Sequence, residues 1–96
     1  MKDLHFMRLL DRYSPLLTQT QREITDLYFN YDLSLSEIAD AKNCSRQGVS
    51  DCLAICRKKI EEYEEKLHLV SMVEALEAFA QAHPEHREEI ECILEW

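Results

Sequence analysis

Ninety-six residues with one glycine, two prolines and a formal charge of −8 leave room for one small core and exclude a second domain or a large catalytic one. With so little glycine, tight hairpins and phosphate-cradling loops have no material, so the composition predicts an all-α fold, a small helical bundle. The charge argues against a general polyanion binder, but it is uneven: residues 1–60 carry eight acidic and nine basic side chains, residues 61–96 eleven and two.

In chain order, residues 3–13 set Leu4, Phe6, Met7, Leu10 and Tyr13 at helical spacing, which predicts a short amphipathic helix ended by Ser14-Pro15. Thr18 and Gln21 form a capping box, and Ile24, Leu27, Tyr28 and Tyr31 give the inner face of a second helix from Gln19 to Asn30. Ser34 and Glu37 repeat the box ahead of a short third helix with Leu35, Ile38 and Ala39 on one side. Asn43 tolerates the left-handed conformation that ends it. Ser45 caps a fourth helix whose apolar positions are Val49, Cys52, Leu53, Cys56, Ile60, Tyr63 and Leu67, about five turns or ~30 Å. The run Glu61, Glu62, Glu64 and Glu65 on its second half reads as a solvated face. A fifth helix is expected over Ser71 to Ala82, with Met72, Val73, Leu76, Phe79 and Ala80 apolar. Pro84 then opens the first turn of a sixth, which carries Ile90, Ile93, Leu94 and Trp96.

No apolar run is long enough to span a membrane, and the N-terminus lacks the pattern of a signal peptide, so the expectation is a cytoplasmic protein. Cys44, Cys52, Cys56 and Cys92, with His5, His68, His83 and His86, lack the Cys-x-x-Cys and His-x-x-x-His spacings of metal sites. Cys52 and Cys56 fall instead on the apolar side of the fourth helix as small buried thiols. No nucleophile with a base, metal cluster or phosphate loop occurs at workable spacing. The expectation is therefore no enzyme, no cofactor and no metal.

Two short helices joined by Asn43-Cys44-Ser45 match the demands of a helix-turn-helix. Ala39 stands at the crossing and Ile38, Cys44, Val49 and Cys52 are set to lock the pair. The alternative is a purely structural hairpin in a three-helix core. In the functional reading the fourth helix is a long recognition helix, with Arg46, Gln47, Ser50, Asp51 and Ala54 facing base edges and Arg57 and Lys58 facing phosphates. Arg46 suits guanine and Gln47 adenine. Asp51 repels backbone yet accepts from cytosine. Residues 46–60 are locally +3, from Arg46, Arg57, Lys58 and Lys59 against Asp51. Gly48 costs ~1 kcal/mol of helix propensity; it is either simply tolerated or allows a partner's backbone to approach.

The LLT before a Gln-rich helix start, the block LYFNYDLSLSEIA, the SRQ-V-D at the fourth helix and EEYEEKLHL at its end carry a resemblance to the YlxM-like helix-turn-helix proteins of bacteria. It covers essentially the whole chain and is firmest over residues 16–69. The hairpin is also similar to the fourth conserved region of bacterial sigma factors. The resemblance implies a helix-turn-helix domain of the winged-helix-like DNA-binding superfamily over residues 1–69, with residues 70–96 a C-terminal helical extension of the same compact unit. It further implies an accessory or regulatory role in the signal recognition particle pathway. Lys42, where relatives tend to carry an aromatic residue, and Gly48, where they tend to carry alanine, depart from the family.

Two functions follow. One is an adaptor that engages the particle's protein or RNA, the acidic C-terminal third suiting a basic partner. The other is a sequence-specific regulator of duplex DNA, for which three phosphate contacts give a salt slope near about −2.7. The long helix with its apolar stripe also suggests a homodimer, unless the last two helices fold back over that stripe.

Overall fold

The first five helices begin where a polar side chain closes their free amides. The computed structural model describes residues 3–95 and contains six α-helices and no strand among them. In α1 (Leu4–Tyr13) the Asp3 carboxylate accepts from the amides of His5 and Phe6. A 3-10 turn over Ser14–Leu16 follows. Both expected capping boxes are present: Thr18 and Gln21 start α2 (Gln19–Phe29), and Ser34 and Glu37 start α3 (Leu35–Lys42). The Ser34 amide donates to Glu37 at 2.9 Å, and this bond holds the Glu37 carboxyl below its ordinary pKa. Asn43 is left-handed, φ 54°, and its amide and that of Cys44 turn back onto α3. The Ser45 hydroxyl then accepts from the Gly48 amide at 2.9 Å to start α4 (Arg46–Leu67).

α4 is the spine, and two cores lie along it. Near its start, Val49 meets Ile24, Ile38 and Ala39, with Leu27, Tyr28, Leu33, Leu35 and Leu53 around them. Farther along, Cys56 and Ile60 meet Phe6, Leu9, Leu10, Tyr13 and Leu17. Cys52 packs against both clusters and joins them. Burial, and then Cys52 beside it, pushes the Cys56 thiol up to about 12, so it stays a protonated apolar filler. All four cysteines are free.

The ends of the apolar stripes differ from the sequence reading. In α1 Leu4 is exposed and Leu9 is buried, because the helix turns a slightly different face toward α4. Tyr31 lies past the end of α2 and is 66% exposed, while Thr25 is buried, its hydroxyl bonded to the Gln21 and Arg22 carbonyls. Leu67 ends α4 beyond its neighbours and is 61% exposed. Cys44, expected to lock the hairpin, is exposed; the left-handed turn at Asn43 carries it outward, and Leu53 takes part in the packing instead.

The acidic run is also only partly solvated. Glu64 is half-buried and caps α5 (Leu69–Ala82) from the preceding helix. Its carboxylate accepts from the Tyr13 hydroxyl at 2.6 Å, the Val70 and Ser71 amides at 2.9 and 3.0 Å, and the Ser71 hydroxyl at 2.8 Å. This carboxylate, with left-handed His68 at the joint, lets α5 begin two residues before the expected Ser71. Pro84 opens a 3-10 turn, Pro84–His86, and not α6 itself (Arg87–Leu94). Val73, Ala80 and Ile90 are buried, whereas Met72, Phe79 and Ile93 are exposed. Trp96 lies outside the described residues. The described chain is elongated, 52 × 25 × 24 Å, and none of its helices is long and apolar enough to cross a membrane.

Candidate nucleic-acid interface

Ala39 decides how closely the hairpin closes. With only a methyl group at the crossing it is 6% exposed, and Ile38 and Val49 beside it are fully buried. That packing fixes the direction in which α4 leaves the turn. A third tie comes from outside the hairpin: the Lys42 ammonium is paired with the Glu23 carboxylate on α2. Lys42 thus anchors α3 to α2 by charge, and the same pair holds the Glu23 carboxyl below its ordinary range.

On α4, Arg46, Gln47, Asp51, Ala54 and Lys58 are exposed, and Ser50 and Arg57 are half-buried. At 100° per residue all seven fall within an arc of about 140° along ~18 Å of helix. The buried Val49, Cys56 and Ile60 occupy the other side. The residues expected from the sequence are therefore brought onto one face.

Their chemistry is less free than their placement. The Gln47 amide donates to the Asp51 carboxylate at 2.9 Å, so two of the base-facing groups satisfy one another. Arg57 is held on three sides: Nη2 donates to Asp3 at 3.0 Å, Nε to Glu61 at 3.1 Å, and the guanidinium lies 4.5 Å from the Phe6 ring centroid. Asp3 therefore caps α1 with one oxygen and grips α4 with the other. The Phe6 amide above all, with the Arg57 guanidinium, keeps its carboxyl below the usual pKa. Of the local cations, Arg46 and Lys58 are exposed, and no ion pair engages either among the described residues.

Asp3, Phe6 and Glu61 belong to the site because they decide what Arg57 can reach. The Arg57–Glu61 spacing of four was a readable signal. The contacts from Asp3 and Phe6 cross more than fifty residues and left none. Gly48, on the edge of the face, has open space except toward Ser45: a Cβ there would stand 3.0 Å from the capping hydroxyl. No group of three or more metal-ligating side chains converges among the described residues. The arrangement offers hydrogen bonds and two exposed cations on a helix held by two cores, which is the equipment of a binding surface.

Residues 1–93 match the protein family described as "Putative helix-turn-helix protein, YlxM / p13 like". A UPF0122 protein of Clostridium kluyveri is 50% identical over 62 residues, covering 65% of this chain and 56% of that protein. A UPF0122 protein of Desulforamulus reducens is 47% identical over 72 residues, 74% of this chain and 62% of the relative. The corresponding protein of Clostridium novyi is 48% identical over 61 residues, 64% and 53%. The chain thus spans less than two thirds of the length of these curated relatives. Since the match runs over nearly all of its own length, the chain belongs to the YlxM/p13-like family of helix-turn-helix proteins.

Proposed function

We propose that the chain is an accessory protein of the signal recognition particle pathway and engages the particle's protein or RNA through the exposed face of α4. One observation carries the binding role: a polar arc, Arg46 to Lys58, stands clear on a helix whose direction is fixed by the close crossing at Ala39. The particle itself comes from the family resemblance.

A second reading, a regulator of duplex DNA, is favoured by Arg46 and Gln47 at the start of a recognition helix, where bidentate base contacts are made. Charge weighs against it. Arg57 is engaged by Asp3 and Glu61, which leaves Arg46 and Lys58 for phosphates, and residues 61–96 bring a surplus of nine negative charges. Two phosphate contacts correspond to a salt slope near about −1.8, or roughly a twelve-fold loss of affinity between about 50 and 200 mM salt.

Separate anisotropy titrations of the full chain against the particle's protein, its RNA and duplex DNA distinguish the readings. The first predicts saturable binding to one of the particle's components and weak, sequence-indifferent binding to duplex. A nanomolar, sequence-selective complex with duplex DNA at physiological salt makes the regulator the better reading.

A further inference from the structure

Charge on the α4 face is matched, cation for anion. The arc carries Arg46, Arg57 and Lys58, and the carboxylates that bond to its side chains among the described residues are Asp51, Asp3 and Glu61. The closest of these engagements is at Arg57. Its Nε and Nη2 donors form one edge of the fork with which a guanidinium grips a phosphate. Glu61 takes Nε, Asp3 takes Nη2, and the Phe6 ring lies against the guanidinium.

The fold does not depend on this clamp. Its side chains are 44–55% exposed, and ion pairs at that exposure contribute ~1 kcal/mol or less. Nor does the start of α1 need the charge, because asparagine caps a helix as well as aspartate does. Only Oδ1 of Asp3 caps, accepting from the His5 and Phe6 amides at 3.0 and 3.3 Å, whereas Oδ2 is the atom that meets Arg57. The second oxygen therefore acts on α4 and not on its own helix. The clamp borders an open recess of about 260 Å³, so Arg57 can swing away without repacking a core.

We propose that Asp3, with Glu61, sets the ligand specificity of the α4 face by withholding Arg57 from phosphodiester backbones. With Arg57 held, the face offers phosphates only Arg46 and Lys58 and selects its ligand by hydrogen-bond geometry. With Arg57 released, it gains a third phosphate contact and becomes a general polyanion binder, since backbone contacts carry affinity without sequence information. The proposal rests on the reading of α4 as the binding face and is independent of the particle.

The test uses the full chain and a labelled random-sequence DNA duplex as a generic polyanion. Asp3→Asn with Glu61→Gln removes both charges and keeps the cap and the helix. This paired variant should bind duplex about five-fold more tightly at low salt, with a salt slope steeper by about 0.9, near −2.7 instead of −1.8. Arg57→Ala should be nearly silent in the native chain and should cancel the gain in the paired variant. Glu88→Gln with Glu89→Gln, exposed positions on α6, removes the same net charge and should leave the slope unchanged. An equal gain from the α6 changes, a gain that survives Arg57→Ala, or a folded paired variant with the native slope or no duplex binding would overturn the proposal alone. Duplex binding by the paired variant that is indifferent to Arg46→Ala with Lys58→Ala would overturn the α4 reading and the proposal with it.

Discussion

Glu64 is the residue whose meaning changes most between sequence and structure. Within the run Glu61 to Glu65 it looks like its neighbours, because its partners, Tyr13 and the first amides of α5, are supplied by other elements. Partial burial works to raise its pKa, but the Tyr13 hydroxyl, the Val70 amide and both Ser71 donors outweigh it and hold the group down at about 2 against an ordinary 4.5. A depressed carboxyl stabilises the fold above its unfolded pKa and loses that contribution as the pH falls through its folded one. Glu64→Gln should therefore cost about 1–2 kcal/mol at neutral pH. The gap to the native chain in urea midpoint should narrow between about pH 5 and about pH 2; a gap independent of pH would contradict the cap. Gly48 gives a second residue-scale prediction. Alanine gains up to ~1 kcal/mol of helix propensity but brings Cβ within 3.0 Å of the Ser45 hydroxyl, a side-chain atom able to shift by tenths of an ångström. Gly48→Ala should stabilise the fold slightly, by under ~1 kcal/mol, seen as a higher urea midpoint, and a fall would show that the Ser45 cap cannot give way.

At the scale of elements, the legible parts were those set by local chemistry. The boxes at Thr18 and Ser34, the left-handed stop at Asn43 and the Ser45 cap each involve residues within a few positions of one another, and the starts of α2, α3 and α4 and the end of α3 follow from them. Exposure along the stripes was harder to read. Leu4, Tyr31, Leu67 and Met72 have the right spacing, yet each faces solvent, and Phe79 stays half exposed with the His83 and His86 rings against it. Periodicity states that a face is apolar and is silent on whether a neighbour reaches it. The crossing at Ala39 is the element-scale test. Ala39→Leu should overpack it and cost roughly 1–3 kcal/mol, seen as a lower urea midpoint with α-helix content retained. Ser34→Ala should cost about 1 kcal/mol by removing one half of its box. A silent Ala39→Leu would mean that the hairpin is looser than its buried Ile38 and Val49 indicate.

For the whole molecule, the sequence predicted the candidate face and missed what restrains it. Spacing alone puts Arg46, Gln47, Ser50, Asp51, Ala54, Arg57 and Lys58 on one side of α4. Only the folding of α1 across α4 brings Asp3 and Phe6 to Arg57. The exposed cations are then Arg46 and Lys58, in a chain whose C-terminal third is strongly acidic. The described molecule therefore has a lightly charged polar face on α4 and a partly exposed apolar stripe on α5. The central claim is that the α4 face engages the signal recognition particle, and its most direct test is titration of the particle, assembled from its protein and RNA, with labelled full chain. The account predicts saturable binding that Arg46→Ala with Lys58→Ala weakens at least ten-fold and that Arg57→Ala changes less than about three-fold. Binding indifferent to Arg46 and Lys58, or no binding by a folded chain, would contradict it.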